Sequence, residues 1–222
     1  MRAIWRSFET LRKHWVAFVV INLVYFGLVV GGMVYAAFDR PMQAELTNTI
    51  GNELVVLEDL VDARTGGWFS AQVEARNPVF VMAAALCILA VNALLGSLIE
   101  ITLPSLIVPF SGLLVGVFRA MAWGVLFSPG GMPVGGGALL GAAATLLLLL
   151  LEGEGYVLAM LAAYLQGRAF LFPQRVGAPT RRQGFAAGVR MTARLYLLVV
   201  LVLAAAAAYE AVLAIVVLPG VG

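Results

Sequence analysis

The chain has 222 residues, of which 62% are hydrophobic and only 12% charged, with a mean hydropathy of +0.99. A soluble domain carries about 25% charged residues, so the composition places this chain in a lipid bilayer as one membrane domain. Its formal charge of +2 is too small to indicate a nucleic-acid partner, and its basic residues are not interleaved with aromatic ones.

The N-terminal segment 1–14 is basic, with Arg2, Arg6, Arg12 and Lys13. Ile4, Phe8, Leu11 and Trp15 recur at helical spacing, which predicts an amphipathic helix lying on the membrane surface. A solvated lead-in to the first span fits the pattern equally well. His14, the single histidine, reads as a solvated residue at a helix end. Trp15–Phe38 is the first span. Its apolar stretch is too long for a secretory signal peptide and no small-residue cleavage site follows, so it reads as a retained anchor. The positive flank places the N-terminus in the cytoplasm.

Asp39–Asn77 is the one sizeable polar segment, and acids outnumber bases in it. Met42, Leu46, Ile50, Leu54, Leu57 and Val61 predict an amphipathic helix, which Gly66 and Gly67 should end. Glu58, Asp59 and Asp62 cluster there without calcium-loop spacing, so a solvated helix face is the expected reading and no metal site is expected.

Pro78–Ile99 is the second span. Cys87 within it reads as a small packing residue. Asn92 needs a hydrogen-bond partner, by default on another helix. Glu100 marks the exit, and Pro104 and Pro109 predict a turn over Thr102–Pro109. Phe110–Phe127 is the third span. It carries Gly112, Gly116, Ala120 and Gly124 at four-residue spacing, a stripe that lets another helix approach closely, and Arg119 near its middle. An uncharged glycine- and proline-rich loop, Ser128–Gly137, follows.

The run Gly135–Pro173 is about twice the length needed to cross a bilayer. Its only acids, Glu152 and Glu154, sit mid-run, each followed by a glycine. A carboxylate at bilayer depth is costly without a partner, and glycine loosens a helix. The pattern predicts a broken or re-entrant membrane segment. Gln174–Arg194 is then a basic loop with no acid, cytoplasmic by the positive-inside rule. Leu195–Leu218 is the last span, carrying Glu210. With both basic segments inside, an even number of crossings separates them, so the long run counts once and the chain makes five net crossings. If its halves crossed separately there would be six, and the basic loop would fall outside.

Intramembrane catalysis leaves marks that are missing here. There is one histidine, at the wrong end for a metalloprotease or a Ser–His pair, and all three aspartates lie in Asp39–Asp62. Glu152 and Glu154, two residues apart on a helix, point in different directions. No enzyme activity, cofactor or metal is therefore expected. What remains is an intramembrane polar set: Asn92, Arg119, Glu152, Glu154 and Glu210. Either Arg119 pairs with a carboxylate, Glu152 first, and fixes helix register, or the acids line an ion or substrate path.

The segment Tyr156-Val157-Leu158-Ala159, with Ala163 and Gly167, resembles the signature of the stage II sporulation protein M family. That family has His-Gly, Glu-Leu, then alanine, alanine and glycine at four-residue intervals. Gly153, Val157, Ala159, Ala163 and Gly167 keep the spacing, while Glu152 stands at the histidine position and Tyr156 at the glutamate position. Ser111–Gly116 is similar to the family's Asn-Gly-x-x-x-Gly element, and Asn77 and Ala207–Ala211 also match family positions. The likeness spans roughly residues 70 to 219. It implies a multi-spanning scaffold associated with cell-envelope machinery, with Ala159, Ala163 and Gly167 as a second packing stripe.

The expected architecture is an all-α polytopic transmembrane bundle with an N-terminal interfacial helix and one broken or re-entrant membrane segment. The expected function is a non-enzymatic scaffold or assembly protein in a bacterial or archaeal cytoplasmic membrane. Its partners would be the lipid bilayer, other membrane or cell-envelope proteins, and a second copy in a homodimer. A transport protein or permease subunit, with Glu152, Glu154, Glu210 and Arg119 around a pathway, is the alternative.

Overall fold

A computed structural model describes residues 2–39, 41–45, 77–128 and 138–217, together with Gly66, Ala71 and Ala75. Most of the acidic segment, including Glu58, Asp59 and Asp62, lies outside the described residues, as does most of the Ser128–Gly137 loop. No strand occurs among the described residues. The fold is an all-helical bundle of an N-terminal helix α1 (Arg2–Lys13), α2 (Trp15–Phe38), α3 (Pro78–Ile107), α4 (Ser111–Leu126), α5 (Ala138–Leu171) and α6 (Arg181–Val212). Four of these, α2, α3, α5 and α6, contain stretches long and apolar enough to cross a membrane. α4 is shorter, at 16 residues.

The helix α5 is the centre. In its most apolar window 67% of residues are buried, against 17% in α2 and 22% in α3. The outer helices instead turn large apolar side chains outward, among them Leu23, Phe38, Val79 and Phe118, which is the surface a lipid environment demands. α6 runs antiparallel along α5: Gly184 meets Ala169, the Thr192 hydroxyl donates to the Ala162 carbonyl (3.2 Å), and Tyr209 donates to Ala144 (3.1 Å).

The expected break in the long run is absent. α5 is one continuous helix of 34 residues, about 51 Å long at 1.5 Å per residue. The glycines beside the acids do not loosen it, because each makes room for a neighbour. A Cβ on Gly153 would lie 2.8 Å from the Phe26 ring, and one on Gly155 would strike the Leu203 side chain. The roughly 1 kcal/mol intrinsic cost of a helical glycine is offset by that packing. A single continuous α5 gives no support to separate crossings by its two halves.

The irregularity lies instead in α3. Residues Val91–Thr102 form π-helical turns between regular helix on both sides. With hydrogen bonds from i to i+5, the buried face advances by four to five residues, from Asn92 and Ala93 to Gly96 and Ser97, then Ile101 and Thr102. The helix continues through Pro104, which stands at the junction between the π segment and the last regular turn. Only Val108–Phe110 break the chain, with Phe110 left-handed (φ 70°) and its ring against Gly167. The expected turn over Thr102–Pro109 is thus shorter, and the second span longer.

α6 likewise starts earlier than the sequence suggests. Gln174–Arg194 is not a loop throughout: after a short 3₁₀ turn at Pro173–Val176, the Thr180 side chain accepts from the Gln183 N–H (3.3 Å) and caps a helix that runs on from Arg181. α1 packs on this part of α6, where the Ser7 hydroxyl donates to the Arg194 carbonyl (2.7 Å). Ser7 and Thr10 are buried, while Ile4, Trp5 and Phe8 point outward. That leaves an apolar face free for an interface. The basic N-terminus and the basic 174–194 segment therefore share one face of the bundle.

Candidate functional site: an intramembrane polar network

Three of the five intramembrane polar residues meet in one network, which Tyr156 and Glu100 complete. The Asn92 amide, on the π turns of α3, donates to the Glu152 carboxylate of α5. Tyr156, one helical turn beyond Glu152, donates its hydroxyl to Asn92 Oδ1 (3.0 Å). The same hydroxyl accepts from the Arg119 guanidinium of α4 (2.8 Å). Arg119 then forms an ion pair with Glu100 of α3 at 2.7 Å. Its guanidinium also lies over the rings of Tyr156 (4.2 Å to the centroid) and Trp123 (5.3 Å). Gly96 keeps this space open, because a Cβ there would lie 3.0 Å from the Tyr156 ring and 3.2 Å from Arg119.

The network corrects the expected pairing. Arg119 does not contact Glu152; Tyr156 and Asn92 stand between them. The physical reason is reach. Arg119 lies nearer the edge of the bundle, where Glu100 is about half exposed (49%), whereas Glu152 is buried at 3%. Asn92 has the interhelical partner its position in a span requires.

The other two acids lie apart from these bonds. Glu154 accepts from the Asn22 amide of α2 (3.1 Å). Glu210 of α6 is half-buried and makes no hydrogen bond to the network. Among the described residues no three His, Cys, Asp or Glu side chains converge as a metal site would need.

The small-residue stripes pack within the chain. Gly112 lies against the Ile101 carbonyl and Ser105, Gly116 against the Met160 side chain, and Gly124 against the Val29 carbonyl of α2, with Gly32 opposite. Ala159 and Ala163 are fully buried, and Gly167 receives the Phe110 ring. Because these faces are filled internally, they supply no surface for the expected homodimer. Cys87, read as a packing residue, is exposed on the outside of α3.

Tyr156, Asn22 and Glu100 are absent from the polar set read from sequence. Tyr156 had a legible signal, being four residues after Glu152 and so on its helix face. Asn22 had one too, as a lone amide in an apolar span. Glu100 lies within the second span rather than at its exit, because that helix is longer than its hydropathy suggests.

The fold and network define the chain as a multi-pass helical membrane protein. Comparison with family models, with curated proteins and with solved structures returned no match. The resemblance to the stage II sporulation protein M family accordingly rests on the residues that carry it.

Proposed function

We propose that this protein is a non-enzymatic scaffold or assembly subunit of the cell envelope, held in a bacterial or archaeal cytoplasmic membrane with its basic face in the cytoplasm. One observation carries the reading. The polar side chains in the membrane core are used on one another, linking α3, α4 and α5 through Glu100, Arg119, Tyr156, Asn92 and Glu152. Neither of the two cavities at the basic end of the bundle is lined by these groups. A transport path needs polar groups open to a passing ion, whereas a scaffold needs them to fix helix register. The resemblance to a family of envelope scaffolds supports the same reading, and the acidic Asp39–Asn77 segment would be its docking surface.

The permease reading retains one observation in its favour. Glu210 is a half-buried carboxylate in α6 with no hydrogen bond of its own among the described residues. Affinity capture of the full chain from native membranes separates the two. Recovery of a cell-wall hydrolase or another envelope protein supports the scaffold. Recovery of an ATPase, together with an ion or substrate flux that Glu210→Gln abolishes, supports the permease and overturns the scaffold.

A further inference from the structure

The basic face carries a cavity of about 450 Å³ into which cations converge from four elements. Lys13 comes from the end of α1, Arg168 from the end of α5, Arg175 from the 3₁₀ turn, and Arg190 and Arg194 from one face of α6. No aspartate or glutamate is among the lining residues. Helix dipoles account for Lys13 and Arg168, which sit at helix C-termini. They do not account for Arg190 and Arg194, which lie in the interior of α6. Like charges four residues apart repel, so the cluster favours an anion between them. His14 faces the same cavity; burial first, then Arg168 and Lys13, lowers its pKa, so it adds no further charge at neutral pH.

A second cavity, an apolar groove of about 610 Å³, adjoins the first and shares Lys13, His14 and Arg168 with it. It runs along α2 from Trp15 to Val24, closed on the other side by Val117 of α4 and Met160 and Tyr164 of α5. Nine helical rises from Trp15 to Val24 span about 14 Å, close to half of a hydrocarbon core about 30 Å thick. The groove therefore has the depth of one leaflet, and its head lies at the cationic pocket.

We propose that pocket and groove together bind one anionic phospholipid. Lys13, Arg168, Arg175, Arg190 and Arg194 hold its phosphate, and one acyl chain lies along α2. Guanidinium groups pair with phosphate oxygens through parallel N–H···O bonds, which a zwitterionic headgroup satisfies less well because its own cation competes. The adjoining groove distinguishes a lipid from a free phosphate compound, which would leave it empty.

Native mass spectrometry of the full chain, released from detergent, tests the assignment with three probes. They are phosphatidylglycerol, phosphatidylcholine with the same acyl chains, and sn-glycerol 3-phosphate in large excess. One phosphatidylglycerol should bind at least about tenfold more tightly than phosphatidylcholine, the difference expected from charge-assisted contacts. Glycerol phosphate should bind weakly. R190Q/R194Q should abolish the preference for the anionic lipid, and V20W, which fills the groove from the lipid-facing side, should weaken phosphatidylglycerol without affecting glycerol phosphate. If the double variant fails to fold, R175Q on the exposed 3₁₀ turn should reduce the preference in the same direction. Equal binding of the two lipids, or a preference untouched by the arginine variants, overturns the proposal. Glycerol phosphate binding as tightly as phosphatidylglycerol, with V20W silent, assigns the pocket to a soluble phosphate compound instead.

Discussion

Asn92 is the side chain on which the buried network turns, since its amide donates to Glu152 while its carbonyl accepts from Tyr156. An amide carries its donor and its acceptor on two separate atoms, so it can face the carboxylate and the hydroxyl together. Replacing it with leucine leaves the buried Glu152 carboxylate without its donor and the Tyr156 hydroxyl without its acceptor, while Glu152→Gln keeps an acceptor facing the Asn92 donor. Asn92→Leu should therefore lower unfolding stability in detergent more than Glu152→Gln. A double-mutant cycle between Asn92→Leu and Glu152→Leu should show coupling of about 1 kcal/mol, the scale of interhelical hydrogen bonds in membranes. Additivity within about 0.3 kcal/mol would mean that the two do not interact. The need of Asn92 for a partner is visible in the sequence, because an amide inside an apolar span has few alternatives. Which acid it meets is not, because that depends on the π turns that set the buried face of α3.

The helices differ in how their small residues are used. Gly124 brings α4 onto the backbone of α2, where a Cβ would strike the Val29 carbonyl, while Gly116 faces the side chain of Met160. A backbone carbonyl moves only with its helix, whereas a methionine can change rotamer. Gly124→Ala should therefore cost about 1–3 kcal/mol, the range for overpacking, and Gly116→Ala less. The order is read from thermal unfolding of the two variants in one detergent, and the reverse order would show that α2 and α4 are not in backbone contact. The four-residue stripe predicts a close helix approach from sequence alone, but the identity of the partner follows from the short Val108–Phe110 turn, which folds α4 back beside α2 and α5. The same spacing at Gly184, Gly188 and Thr192 is obscured in the sequence by the arginines around it. Thr180 and Gln183, three residues apart, form a capping pattern that places the start of α6 at Arg181. The hydropathy minimum there belongs to a helix rather than a loop.

Across the whole molecule, the chain's two basic segments meet on one face, and α5 runs unbroken from that face toward the other. Cysteines placed singly at Ala71 and Ala178, in a background without Cys87, should report opposite sides. An impermeant reagent should label the first and spare the second in intact cells. Labelling of both from outside would contradict the arrangement. The all-helical class and the first span, Trp15–Phe38, are legible in composition and hydropathy. The continuity of α5 is not, because glycine beside a buried acid signals weakness only until its neighbours, Phe26 and Leu203, are in place. The central claim is that the intramembrane charges hold helices together, with Arg119 committed to Glu100. The most direct test compares thermal unfolding of Arg119→Gln, Glu100→Gln and the double variant. Arg119→Gln alone should destabilise by about 2 kcal/mol, below the 3–5 kcal/mol typical of a fully buried pair because Glu100 is half exposed. Adding Glu100→Gln should restore most of that loss. Strict additivity of these two, or rescue of Arg119→Gln by Glu152→Gln instead, would contradict the account.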